Sequence, residues 1–344
     1  MVPVVLMAAA LWGMGALMKV SRPARWRAIG ALYVAVLIVQ FALPPGHPLR
    51  AATGGTPQAW LALGVVAGLI WGYRRLLGGL HARARPADDD PQPEGGFRAA
   101  ELERYARHIV LREIGGPGQK RLKAAKVLVV GAGGLGSPAL MYLAAAGVGT
   151  IGVVDDDSVE ASNLQRQVIH TDARIGMPKV DSAEAAMRAL NPFVAVRPYH
   201  RRLEEADAVA LFEEYDLILD GTDNFATRFM VNRAAVAAAR PLIAAAITQW
   251  EGQISLYHPA SGAPCYACIF PAAPAEGLAP SCAEAGVIGA LPGVVGAMMA
   301  VEAIKEITGA GDSLRGRMLF YDALHGENRQ VTLRRRPDCP VCGG

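Results

Sequence analysis

The stretch Lys126-Val-Leu-Val-Val-Gly131-Ala-Gly133-Gly134-Leu-Gly136-Ser-Pro-Ala decides the reading of this chain. Its short β-branched run has the length of a buried strand, and glycine follows at positions one, three and six of a loop. Those glycines permit a tight turn, close approach of a phosphate and close packing of helix on strand. Ser137–Ala146, rich in Ala and Leu, reads as the next helix, whose N-terminus offers free N–H groups and a positive dipole end. The following strand, Thr150–Val154, ends at Asp155, 24 residues after Gly131, where an acid can bind a ribose hydroxyl. The flanking strand, helix and acid raise a plain glycine turn to a nucleotide site, without deciding between NAD and ATP.

Working outward, Val194–Pro198, Asp216–Asp220 and Leu242–Ala246 read as strands. Glu101–Leu111, Pro178–Leu190, Ala206–Glu214 and Ala226–Arg240 read as helices. Gln253–His258, a long helix around Val294–Thr308, and the strands Met318–Asp322 and Arg329–Leu333 complete the pattern. This alternation predicts an α/β fold, a doubly wound, Rossmann-like, mainly parallel sheet with a C-terminal antiparallel extension.

Past Asp155, Ser162-Asn163-Leu-Gln-Arg166-Gln167 is followed by Lys179. Hydride transfer has no use for an amide, a guanidinium and an ammonium beyond the ribose acid. A triphosphate and its charged transition state do, so these residues favour ATP. Asp223, in Gly221-Thr222-Asp223-Asn224, follows the strand ending at Asp220. Ligands of such sheets sit at the carboxyl ends of strands, which suits Asp223 to Mg²⁺. Singly, Arg166 and Lys179 also read as solvated charges and Asp223 as a helix N-cap; together they read as one site. His108 and His170 lie beside it, with hydrogen-bonding or structural roles expected rather than acid–base ones.

With these residues assembled, positions from about 101 to 344, about 70% of the chain, resemble the MoeB/ThiF/HesA group of the ubiquitin-activating superfamily. The matching strings are Arg104-Tyr-Ala-Arg107-His-Ile, Gly131–Gly136, Asp155-Asp-Asp157, Ser162–Gln167, Gly176-Met-Pro-Lys179, Thr222-Asp-Asn224 and Cys282-Ala-Glu-Ala-Gly286. The resemblance implies a homodimer that adenylates the C-terminal glycine of a small ubiquitin-like sulfur carrier ending in Gly-Gly, releasing pyrophosphate. It assigns ribose to Asp155, phosphates to Asn163, Arg166 and Lys179, and Mg²⁺ with the reacting carboxylate to Asp223. It sends Arg107 into the partner protomer's ATP site, and Asp157, Gln167 and Asn224 join the expected nucleotide-binding set. A carboxylate nucleophile is already ionised near neutral pH, so positioning and charge neutralisation suffice without a general base. The long central match and the ending Pro337-Asp-Cys-Pro-Val-Cys342 favour a MoeB-like role with a MoaD-like carrier in molybdopterin synthesis. A ThiF-like role with a ThiS-type carrier in thiamine thiazole synthesis is the alternative. No rhodanese sequence follows Gly344, so sulfur is expected from another protein.

Four of the five cysteines form two Cys-x-x-Cys pairs, Cys265/Cys268 and Cys339/Cys342, suited to a tetrahedral four-thiolate zinc site. The long gap between pairs leaves two redox motifs as a competing reading, and the resemblance favours structural zinc. Cys282, unpaired in Pro280-Ser-Cys-Ala-Glu-Ala-Gly286, reads as a buried small hydrophobe. Its small and polar flanks suggest a mobile loop, and the resemblance suggests thioester or persulfide chemistry there. Gly343-Gly344 is expected to complete the zinc knuckle as a turn, although it also resembles a carrier tail.

The head of the chain is different. The formal charge of +3 divides into +9 over residues 1–85, which contain no acid, and −6 over the remainder. That slightly acidic remainder gives no support to nucleic-acid binding. Apolar runs at about Val2–Met18, Ala28–Leu43 and Ala59–Tyr73 predict about three transmembrane helices in an anchor over 1–85, with a linker at 86–96 and the adenylyltransferase domain at 97–344. Basic residues cluster at 19–27 and 74–85. The positive-inside rule therefore predicts a multi-pass protein of the inner membrane, its N-terminus outside and its catalytic domain cytoplasmic. A buried helical hairpin is the competing reading of the head. For the whole chain, a NAD-dependent membrane reductase or a non-catalytic membrane scaffold are the other classes.

Overall fold

The computed structural model describes residues 2–18, 20–84, 96–273 and 286–343. The chain forms two compact units, Met1–Pro91 and Gln92–Gly344.

The first unit consists of α1 (Val2–Leu17), α2 (Arg22–Ala42), α3 (Pro48–Thr53) and α4 (Pro57–Ala84). Proline opens α3 and α4, where its missing N–H costs nothing. Ala24–Ala42 and Pro57–Leu77 are long and apolar enough to cross a membrane, with only 11% and 6% of their residues buried. The third expected run forms α1, a shorter apolar helix. α4 continues past Tyr73 through Arg74 and Arg75, since neither arginine opposes helix. The small interior holds Val4, Val36 and Trp60, beside which Gln40 donates to Thr53 Oγ1 at 2.8 Å. The linker expected at 86–96 lies, except for Gly96, outside the described residues.

In the second unit, α5 (Ala99–Ile109) and α6 (Gly115–Ala124) precede the sheet. Five strands run parallel: β1 (Lys126–Val130), β2 (Thr150–Val154), β3 (Ala195–Tyr199), β4 (Leu217–Asp220) and β5 (Leu242–Ile247). β6 (Glu251–Tyr257), β7 (Arg317–Asp322) and β8 (Glu327–Thr332) extend the sheet antiparallel, in the order β3-β2-β1-β4-β5-β6-β7-β8. The connecting helices are α7 (Gly136–Ala146), α8 (Lys179–Leu190), α9 (Glu205–Glu213), α10 (Phe225–Ala237), α11 (Tyr266–Ile269) and α12 (Ala290–Thr308).

Both sheet faces are covered, which is why the central strands are apolar throughout rather than alternating. Val127, Val129, Leu217 and Leu219 pack on the α7, α8 and α12 side. Leu128, Val130 and Ile218 pack on the α9 and α10 side. Each strand expected from sequence forms, with ends shifted by two residues or fewer. The helix α6 was hidden by its Gly115-Gly-Pro-Gly opening; burial of Leu122 and Gln119 holds it in place. α12 begins at Ala290, earlier than expected, with Pro292 in its first turn.

Candidate active site

The strand order reverses direction between β1 and β4, so their carboxyl ends form the crevice where such sheets take ligands. Gly131 has φ +93°, a conformation that disfavours any side chain. A Cβ on Gly136 would lie 1.9 Å from the Gly131 carbonyl oxygen, so the turn into α7 closes only with glycine there. Gly133 lies beside Gln167, and Gly134 beside Pro292 and Arg166.

Asp155, at the end of β2, accepts from the Ala132 N–H at 2.7 Å and the Asp157 N–H at 2.9 Å. Burial raises its pKa, and Lys179 and the two N–H groups oppose that rise. Lys179 opens α8 and is itself buried; its Nζ lies 2.6 Å from Asp157 Oδ2, a carboxylate that remains exposed. Gln167 is buried, and among the described residues its Oε1 has no partner. Arg166 is half-buried and donates to the Ser162 carbonyl at 3.2 Å, with Asn163 half-buried beside it. The structure thus gathers the Gly131–Gly136 loop, Asp155, Asp157, Gln167 and Lys179.

Asp223 is exposed in the loop after β4, and the helix cap is Asn224, which accepts from the Thr227 N–H at 2.8 Å. The loop is held by two neighbours. Buried Asp220 accepts from the Thr222 N–H and hydroxyl at 2.9 and 2.6 Å, and buried Arg228 donates to the Thr222 carbonyl. Sequence reasoning missed Arg228; its signal was an arginine one helical turn after Asn224, on the buried face of α10 that also carries Asn232. It also missed Ser182, the partner of His170 on α8. His108 has the structural place expected of it, with Nδ1 3.3 Å from Gln119 Oε1. Arg107 is exposed in the last turn of α5, and no hydrogen bond or ion pair joins it to the glycine loop among the described residues. Cys282 lies outside the described residues.

The four other cysteines converge although 74 residues separate the pairs. Cys265 Sγ lies 3.9 Å from Cys268 and 3.6 Å from Cys339, and Cys268 Sγ lies 3.5 Å from Cys342. All four are buried, with their sulfurs within 4.8 Å of one another. Tetrahedral zinc with Zn–S of ~2.3 Å sets sulfurs about 3.8 Å apart, so the cage fits the ion. Cross-pair distances this short describe one cage rather than two separate redox pairs. Burial raises the Cys265 and Cys268 thiols. Burial also acts upward on Cys339, but N–H and thiol donors outweigh it and bring it to about 6. The Gly343 N–H closes the knuckle onto the Cys339 carbonyl at 2.8 Å. Gly344 lies outside the described residues.

Residues 105–341 match the ThiF family. The chain is 51% identical over 247 residues to the sulfur carrier protein adenylyltransferase of Thermus thermophilus, covering 71% of this chain and 91% of that one. It is 50% identical over 252 residues to the probable adenylyltransferase/sulfurtransferase MoeZ of Mycobacterium tuberculosis, covering 72% of this chain but only 64% of MoeZ. Among solved structures, E. coli MccB in complex with MccA-N7isoASN aligns with a TM-score of 0.60 at 25% identity, covering 66% of this chain and 70% of that chain. On the extent of these matches, the chain belongs to the ThiF family.

Proposed function

We propose that the chain adenylates the C-terminal glycine of a small ubiquitin-like sulfur carrier, and that residues 97–344 carry this activity. The observation that carries the reading is the buried Lys179 beside Asp155 and the glycine loop at the sheet's crevice. The relative in Thermus thermophilus bears the name of this activity, and MccB has been solved with the peptide MccA.

In this reading Asp155 takes the ribose hydroxyl, while loop N–H groups and the α7 N-terminus take phosphate. Arg166 and Lys179 neutralise the triphosphate, and the Asn163 and Gln167 amides hydrogen-bond to it. Asp157 releases Lys179 to it, and Asn224 keeps the Asp223 loop capped. The carrier's carboxylate oxygen attacks the α-phosphorus, a new O–P bond forms, and the bond to the β-phosphate oxygen breaks as pyrophosphate leaves. Both reactants are anions, so the site acts by holding them in line and cancelling charge. Asp223, a lone exposed carboxylate at a strand end, suits Mg²⁺, which keeps few protein ligands and draws the rest from phosphate and water. Mg²⁺ would supply further charge neutralisation. Zinc at the four thiolates would be structural, lacking an open position. Cys339→Ser should lose zinc by metal analysis and lower the melting temperature by on the order of 10 °C.

The carrier is taken to be MoaD-like, serving molybdopterin synthesis. ATP–pyrophosphate exchange by the full-length chain, stimulated by a MoaD-like carrier and not by a ThiS-type one, is the expected result. The reverse preference would move the chain to thiamine thiazole synthesis. Nicotinamide binding without exchange would overturn the whole reading.

We further propose a homodimer with Arg107 serving the partner's site. An equimolar, randomly reassorted mixture of Arg107→Ala and Lys179→Ala chains should then recover about a quarter of normal exchange, because about half the dimers are mixed and each of those has one of its two sites intact. The first unit is read as the membrane anchor of the inner membrane. Its support is two long apolar helices whose side chains face outward, with Arg75 stacked on Trp71 at 5.2 Å where the apolar run ends.

A further inference from the structure

His170 is buried and spans two parts of the site without being exposed to either substrate. Its Nε2 lies 3.0 Å from the Ala132 carbonyl oxygen, and its Nδ1 lies 2.9 Å from Ser182 Oγ on α8. A carbonyl oxygen only accepts, so Nε2 carries the proton, and Nδ1 accepts from the Ser182 hydroxyl. Ser182 is fully buried three residues beyond Lys179, and Arg174 donates to its carbonyl at 2.9 Å. Burial lowers the His170 pKa, and the cations Lys179 and Arg174 lower it further, which favours the neutral ring this pattern requires.

The Ala132 residue is therefore clamped at both ends, its carbonyl also accepting a longer hydrogen bond from the Ser137 hydroxyl at 3.4 Å. Its N–H goes to Asp155 Oδ2 at 2.7 Å and its carbonyl to His170. In a trans peptide the carbonyl and the next N–H point in opposite directions. Drawing the Ala132 carbonyl toward buried His170 thus turns the Gly133 N–H the other way. Among the described residues the Gly133 and Gly134 N–H groups have no protein acceptor, as expected of donors reserved for an anion.

We infer that His170 is a positioning residue that locks the Ala132–Gly133 peptide in its phosphate-accepting orientation and ties that loop, through Ser182, to the helix carrying Lys179. It rests on the ATP reading above and deepens it. A carbonyl that loses His170 keeps only the longer bond from Ser137 and can rotate toward the phosphates, where it would repel them.

The test is equilibrium binding of ATP and of adenosine to the full-length chain. His170→Leu should weaken ATP by about tenfold and adenosine by less than about twofold, because only the phosphate half of the site loses its geometry. His170→Gln, which keeps a neutral N–H donor within reach of Ala132, should recover most of the ATP affinity. Equal losses for both ligands, undiminished ATP binding in His170→Leu, or no recovery in a folded Gln variant would overturn the inference. Nitrogen NMR of the unsubstituted chain gives a readout independent of folding: His170 should be neutral with the proton on Nε2, and the Nδ1–H form would refute it. Failure of the unsubstituted chain to bind ATP would sink the proposed function instead.

Discussion

The two units use apolar residues in opposite ways. In the sheet unit, Val127, Leu128 and Val129 are completely buried on β1, alternating between two cores. In the first unit, Ile38 and Trp71 are 61% and 63% exposed, and such exposure runs along both long helices. The difference is one of solvent. A strand buried on both faces removes its side chains from water by packing, whereas a helix apolar on its outward surface needs lipid or another partner to do so. The comparison teaches that hydrophobicity alone locates neither a core nor an anchor; run length does. Five apolar residues between turn signals make a strand, and about twenty without a charge make a span.

A charge placed in each region should divide them. Leu219→Asp puts an unpaired carboxylate at a fully buried position of β4. It should cost about 5 kcal/mol or more and yield insoluble or unfolded protein, read by circular dichroism. A folded, active Leu219→Asp protein would break the comparison at its core side. Next in size is Lys179→Ala, which should lower carrier-dependent pyrophosphate exchange by about a thousandfold while the fold persists. Its partner Asp157 stays solvated, so little stability is at stake. Undiminished exchange in that variant would remove Lys179 from the site.

If the first unit is the membrane anchor proposed above, Leu69→Asp, on the outward surface of α4, should cost about 3 kcal/mol of insertion, seen as loss of the chain from the membrane fraction. Exchange per molecule should not change. A variant that stays membrane-bound would show that this face meets protein, not lipid.

Much of this architecture was legible because its signals are local. The Gly131–Gly136 loop announces itself through glycines that a turn and a close backbone approach demand. Asp155 sits at a strand end, where topology places it. What stayed hidden is contact across the chain. Spacing alone left the two Cys-x-x-Cys pairs open between one zinc site and two redox motifs until the fold brings Cys265 within 3.6 Å of Cys339, and nothing in the sequence gives His170 to the Ala132 carbonyl 38 residues away. α6 escaped notice because its opening glycines and proline argue against helix, and only tertiary burial of Leu122 overrides them. Arg228 escaped because a buried arginine on a helix looks like an exception until its acceptor is known.

Arg228 therefore supplies the finest test of how the sheet unit tolerates charge. It is 7% exposed, its guanidinium donates to the Thr222 carbonyl, and its charge opposes the rise that burial imposes on the pKa of Tyr266, the residue after Cys265. A buried cation survives only when its donors are used. Arg228→Leu removes the charge and the hold on Thr222 but keeps the packing volume. Asp220 still grips the Thr222 N–H and hydroxyl, so the loop should loosen rather than unfold. The expected result is about a tenfold fall in exchange, with only a small change in melting temperature. If the leucine variant kept full exchange, Thr222 would need no support from below, and the exposed Asp223 beside it would owe its place to Asp220 alone.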